Sequence, residues 1–148
     1  MKKITSLLAI TSLIFFISCN KTNNITDNNI KNIKYLNGYW EISKVTKNSQ
    51  VIKNYDFNGT VDFYFLDDKN QGYRKKVKPR INGSFEITMH QMMVKIKEDK
   101  KNLYLVYGKN EEYSETLVKL DSSILITKNN DGRVFEYKRF YPKNFLNE

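Results

Sequence analysis

The chain has one cysteine, one histidine and one tryptophan among its 148 residues, and its single alanine is Ala9. One cysteine cannot close an internal disulfide, so no covalent framework holds the fold. With no second histidine and no spare cysteine, the usual zinc ligand sets are missing, and neither a metal nor a cofactor is expected. There is no glycine-rich phosphate loop, calcium loop or dinucleotide motif, and no nucleophile elbow to support a serine triad. His90, between Met89 and Gln91, titrates near neutral pH if exposed, and it reads as a surface or strand-end residue. Asp62, Glu86, Glu112, Glu115 and Glu136 fall on separate segments. Any two could meet as an acid–base pair, but no spacing selects one, and solvated strand faces account for them. The expectation is a protein that is not an enzyme.

Positive charge, in contrast, is plentiful. The formal net charge is +9, and taking away Lys2 and Lys3 with a leader lowers it to +7. Such a balance raises the question of nucleic acid. The cations, however, are spread along nearly every segment instead of forming one patch, and no nucleic-acid partner is expected. Abundant Lys, Asn and Ile beside a single alanine is also what AT-rich coding produces, so part of the charge reflects coding bias.

Residues 1–18 read as a leader. Met1-Lys2-Lys3 is a positive start, and residues 4–18 form an apolar run of 15. That is short of the roughly 20 residues that span a bilayer and suits a signal-peptide core. The run ends Phe16-Ile17-Ser18-Cys19. This resembles the lipobox of bacterial lipoproteins, in which a small residue precedes a cysteine that is cleaved at and lipidated; Phe16 stands where that pattern has a Leu-like residue. The resemblance gives the lone Cys19 a purpose. It implies a membrane partner held through acyl chains, each buried CH₂ contributing about 0.8 kcal/mol. An uncleaved membrane segment or a free exported thiol is the plainer alternative. Asn20 after the cysteine, where an aspartate retains enterobacterial lipoproteins in the inner membrane, implies the outer membrane. The absence of acidic residues over 20–24 implies its periplasmic side. From Cys19 to residue 33 the chain is polar and aperiodic and reads as a flexible tether. The folded domain is expected over 34–148.

From Gly38 onward the sequence keeps one habit, which is short alternating runs broken by Asn, Asp and Gly. Trp40 and Ile42 alternate with Tyr39, Glu41 and Ser43, the pattern of a half-buried strand. Asn58-Gly59, Asn82-Gly83 and Asn129-Asn130-Asp131-Gly132 read as hairpin turns, because these residues tolerate positive φ. Turns are also expected over 67–70, 98–101 and at Asp121-Ser122, and Pro142 ends the last strand. Eight or nine strands with short connections and no long helix predict an all-β fold. Closure into an up-and-down antiparallel barrel removes unpaired edges; a two-sheet sandwich is the alternative.

Gly38-x-Trp40 opening the first strand, the run of hairpins, and Arg139 in the last strand resemble the lipocalin-like barrels over residues 35–141, in particular small envelope lipoproteins with that domain. The resemblance implies that Arg139 packs over Trp40 and closes one barrel end. It further implies a cup for a small apolar or amphipathic ligand. The expected inward set is Trp40, Ile42, Phe63, Phe65, Phe85, Ile87, Val94, Ile96, Leu103, Leu105, Phe135 and Tyr137. Phe63, Phe65, Phe85, Ile87, Val94, Leu105 and Tyr137 are the candidates for ligand contact. So many large side chains also fit a filled barrel that serves as an interaction or structural module for another envelope protein. A basic strand completes the list: Arg74, Lys76, Lys78 and Arg80 share one face by period two. It is expected to point outward as a charged face that discourages strand addition, with an acidic headgroup or ligand as the functional alternative.

Overall fold

The computed structural model describes residues 31–56, 58–88, 91–100 and 102–143; the leader, Cys19, the tether up to residue 30 and His90 lie outside them. A 3-10 turn, Ile33–Leu36, precedes ten strands: β1 Gly38–Lys47, β2 Gln50–Asn54, β3 Val61–Leu66, β4 Gln71–Pro79, β5 Phe85–Ile87, β6 Met92–Asp99, β7 Asn102–Tyr107, β8 Tyr113–Leu120, β9 Ile124–Asn129 and β10 Arg133–Phe140. Eight of them form a ring in chain order, β1-β3-β4-β6-β7-β8-β9-β10, and β10 pairs back on β1. That closing pair runs from Tyr39↔Phe140 to Lys47↔Arg133. It makes an up-and-down antiparallel barrel and rules out the sandwich, whose sheets keep free edges.

The two extra strands fill half-positions. β1 pairs β3 over Gly38–Trp40 and β2 over Lys44–Lys47. β4 likewise pairs β6 through Gln71–Arg74 and β5 through Val77–Pro79. Asn58-Gly59 is therefore not a hairpin turn, because β2 and β3 pair β1 in succession and not each other. Asn58 instead donates from its side-chain amide to the Ile42 carbonyl at 2.6 Å, tacking the connection across β1. The expected turn over 129–132 is present, with Gly132 at φ 77.

One end of the barrel is tied off by the segment that leads into β1. Leu36 and Trp40 are fully buried, and the Trp40 indole N–H donates to the Leu36 carbonyl at 2.8 Å. Asn37 acts as a short strand partner: its amide bonds both the carbonyl and the N–H of Leu66. The Arg139 guanidinium lies 3.9 Å from the Trp40 ring centre and donates to the carbonyls of Asn37, Tyr35 and Ser122. Gly38 has φ 115, and a Cβ there would stand 2.7 Å from an Arg139 guanidinium nitrogen. The glycine of Gly38-x-Trp40 thus serves both the backbone turn and the arginine. Ile33 and Tyr35 pack against the core, and Asn32 donates to the Leu120 carbonyl, so the last residues of the expected tether are already held by the barrel.

The lumen is filled. Leu36, Trp40, Leu66, Val94, Leu103, Leu105, Leu117, Leu120, Leu125 and Tyr137 form one buried cluster with Tyr64 and Tyr107.

Candidate functional site

The lumen faces of β3 and β4 carry charge. Asp62, 2% exposed, is opposite Lys76, and Tyr64, 1% exposed, is opposite Arg74. Arg74 grips Asp62 with two parallel bonds, Nε to Oδ1 at 3.1 Å and Nη2 to Oδ2 at 3.0 Å. The Lys76 ammonium adds a third contact, 3.1 Å from Oδ1. One carboxylate thus serves two cations, which is how a charged group tolerates burial. The Arg74 guanidinium also lies 5.7 Å from the ring centres of both Tyr64 and Tyr107. Burial alone opposes its charge, but Tyr64 and Asp62 beside it raise its pKa above the ordinary arginine value.

Around this pair runs a chain of hydroxyls. The phenols of Tyr64 and Tyr107 are 3.0 Å apart, and Tyr107 donates to the Glu115 carboxylate at 3.3 Å. Burial pushes both phenols well above their ordinary pKa, so they remain neutral donors. Burial also raises the Glu115 pKa, partly offset by Thr127, Arg74 and Tyr107. Tyr113, paired with Tyr107 across β7 and β8, stacks on it at 4.6 Å and reaches solvent. A pocket of about 120 Å³ opens between Arg74, Lys76, Met92 and Tyr113. Among the described residues no group of His, Cys, Asp and Glu could hold a metal ion.

The candidate ligand residues divide between the two sides of the wall. Val94, Leu105 and Tyr137 are buried in the lumen, where they pack the core. Phe63, Phe65, Phe85 and Ile87 were expected inside and are outside. Phe65 is 45% and Ile87 63% exposed, and Phe63 and Phe85 join a row of rings on the outer surface. Tyr39 lies 4.8 Å from Phe63 and stacks on Phe85 at 4.2 Å; Tyr73 lies 5.5 Å from Phe65; and Phe140 meets Phe85 edge-on at 6.4 Å. The physical reason is partnership. Tyr64 finds Tyr107 inside and Asp62 finds two cations, whereas the phenylalanines find each other and Tyr39 outside.

The basic strand is corrected in the same way. Arg74 and Lys76, expected on an outer face, point into the lumen because Asp62 is there to neutralise them. Lys78 and Arg80 are exposed, and Arg80 pairs with Glu86 at 2.5 Å. The sequence reading also missed Asp62, Tyr64, Tyr107, Tyr113 and Glu115 as members of one site. A signal for Asp62 was present, because a turn over 67–70 sets Asp62 opposite Lys76 in the hairpin.

Ring, tied-off end and pocket together define a closed up-and-down antiparallel barrel with a charged group in its lumen. A solved structure of apocrustacyanin C1 is similar, at a TM-score of 0.47 and 18% identity, over 80% of this chain and 68% of that one. No protein-family model matches the chain, and no curated protein matches it.

Proposed function

We propose that the protein is a non-catalytic binding protein that seats part of a small amphipathic molecule in the pocket at the barrel mouth. The observation that carries this is the pocket itself. A space of about 120 Å³, walled by Arg74, Lys76, Met92 and Tyr113, stands in a lumen otherwise filled with side chains. Ligand cavities for whole drug-sized molecules run from roughly 300 Å³ upward. The pocket therefore takes a head or an end of a molecule, and a deep apolar cup is not part of the proposal. Native mass spectrometry of the purified protein is the test. A small bound species that is lost on changing Met92→Trp, which fills the pocket, supports the reading; an empty wild type opposes it.

We also propose that the barrel is lipid-anchored at Cys19 in a bacterial envelope, in the outer membrane facing the periplasm. The support is the signal-like run over 4–18 that ends at the chain's only cysteine. Cys19→Ser should abolish labelling by a clickable fatty acid and release the protein from membranes. Unchanged membrane association would count against the anchor.

A second reading has its own observation. The outer aromatic row, with Phe65, Ile87 and Met93 exposed beside it, is the kind of surface that interaction proteins display. Under this reading the filled barrel is a module of an envelope complex. Phe65→Ser together with Met93→Ser should then abolish copurification of an envelope protein while leaving the mass-spectrometric ligand unaffected.

A further inference from the structure

We infer that the pocket between Arg74, Lys76, Met92 and Tyr113 is a site for a small anion, a carboxylate or phosphate group, with Arg74 and Lys76 as its binding cations. The inference rests on reading the barrel as a small-molecule binder, and it names the chemistry that the pocket takes.

Three features of the geometry carry it. The first is the sign of the charge carried by the side chains that line the space, which turn mainly carbon toward it. Among the described residues the lining holds two cations and no carboxylate. The two cations share a single acid, Asp62. The other lumen carboxylate, Glu115, accepts from the Tyr107 hydroxyl and feels the charge of Arg74 without being in salt-bridge contact with it. The second is preorganisation. Arg74 is fixed by two bonds to Asp62 and flanked by two tyrosine rings, so its orientation costs nothing further when an anion arrives. Asp62 takes Nε and Nη2 of Arg74, and Tyr113 is a further hydrogen-bond partner of that guanidinium, whereas Lys76 keeps ammonium donors beyond its one contact. The third is size. A volume of about 120 Å³ holds about four waters at liquid density. That is room for a carboxylate or phosphate group and a short stub, while any longer tail must run out past Tyr113 and Met92. The side chain of Lys76 is 33% exposed, so the site is open to arrival from solvent.

Such an anion could be free in solution or the head of an amphipath, and the test separates these sources. The full chain, kept in a zwitterionic detergent, is titrated calorimetrically with inorganic phosphate, with hexanoate, and with hexanol as the uncharged counterpart of hexanoate. Two single variants are compared. Lys76→Gln removes a lining cation but leaves Asp62 bonded to Arg74, so the fold is kept; an unchanged thermal midpoint checks this. Lys78→Gln makes the same charge change two residues along, at an exposed position outside the pocket.

The expected result is saturable binding of at least one anion by the wild type. Lys76→Gln should weaken it by about tenfold or more, as befits the loss of a charge-assisted contact, and Lys78→Gln by less than about twofold. Binding of phosphate without hexanoate assigns the site to a free anion; binding of hexanoate assigns it to an amphipath's head. Equal weakening by both variants, or no binding of either anion, overturns the assignment. Hexanol binding as tightly as hexanoate also overturns it, while leaving the small-molecule reading intact. If phosphate binds and neither hexanoate nor hexanol does, the anion site stands and the amphipath reading falls.

Discussion

The two faces of β3 are a controlled comparison within one strand. Asp62, Tyr64 and Leu66 look into the lumen; Val61, Phe63 and Phe65 look away from it. By hydrophobicity alone the odd-numbered set belongs inside. The barrel does the opposite, and the same inversion continues through β4, where Arg74 and Lys76 face inward and Tyr73 and Lys75 outward. Alternation separates residues into two sets but does not say which set the closing ring takes inside. Here the choice follows from pairing across the lumen. Asp62, Arg74 and Lys76 enter as partners of one another and Tyr64 as the partner of Tyr107, while Phe63, Phe65 and Phe85 stay outside where rings meet rings.

The largest effect expected from breaking this comparison is at the tied-off end of the lumen. Trp40 is fully buried, bonded through its indole N–H and covered by Arg139. Trp40→Ala should lower stability by about 3–5 kcal/mol, the cost of a large aromatic removed from a core. A urea midpoint unchanged from wild type would detach Trp40 from any closing role.

Almost as large is the loss of Asp62. Asp62→Ala strands Arg74 and Lys76 in the lumen without their acid, and about 3 kcal/mol should be lost, since removing one member of a buried ion pair leaves the rest uncompensated. If Asp62 were a solvated outer residue, as its position opposite three apolar neighbours in the alternation suggests, the change would be close to neutral. Denaturant midpoints at low and high salt decide between these, because a buried network is screened far less than a surface one.

The outer counterpart is gentler. Phe65→Ala removes a ring that is 45% exposed and leans on Tyr73. A loss of about 1 kcal/mol or less is expected, consistent with a half-exposed aromatic pair. A loss matching that of Trp40→Ala would mean that the outer row is a second core and not a displayed surface.

These contrasts show what the sequence made legible. The class of fold was readable because Asn, Asp and Gly mark positions that need positive φ or side-chain-to-backbone bonds. Asn82-Gly83, Asn129 to Gly132 and Asp121 fall where hairpins turn. Trp40 and Arg139 were readable together because each begins or ends the ring, and a closed barrel must bring its first and last strands side by side. What was not legible depended on parity. Bulges fall between Ile42 and Lys44, between Val45 and Thr46, and between Leu117 and Lys119, and each shifts the register of the strand it interrupts. The charged site was hidden for a related reason. A row of cations at period two is indistinguishable from a solvated face until the hairpin register shows that Asp62 stands opposite Lys76. The two half-strands β2 and β5 were also obscure, because each pairs only part of a longer neighbour and leaves no full alternating run.

The smallest effect concerns pH and the second lumen carboxylate. In the unfolded chain Glu115 titrates at the ordinary carboxylate value; in the barrel, burial raises its pKa, so it keeps its proton to higher pH. Between those two values the folded state holds more proton than the unfolded one, and stability must fall as pH rises through that window. The contribution is complete below the unfolded value and gone above the folded one. Other groups titrate too, so the difference between wild type and Glu115→Gln is the quantity to follow. Glutamine cannot lose a proton, and it keeps an acceptor for the Tyr107 hydroxyl. Urea midpoints of the two proteins should therefore converge at acidic pH and separate as the pH rises above the ordinary carboxylate range, with the variant the more stable. Parallel curves across the whole range would mean that Glu115 is as well solvated as an outer residue. The polar half of the lumen would then be open to water beyond the pocket at Arg74 and Lys76, and the contrast between the two faces of the wall would shrink to the tied-off end alone.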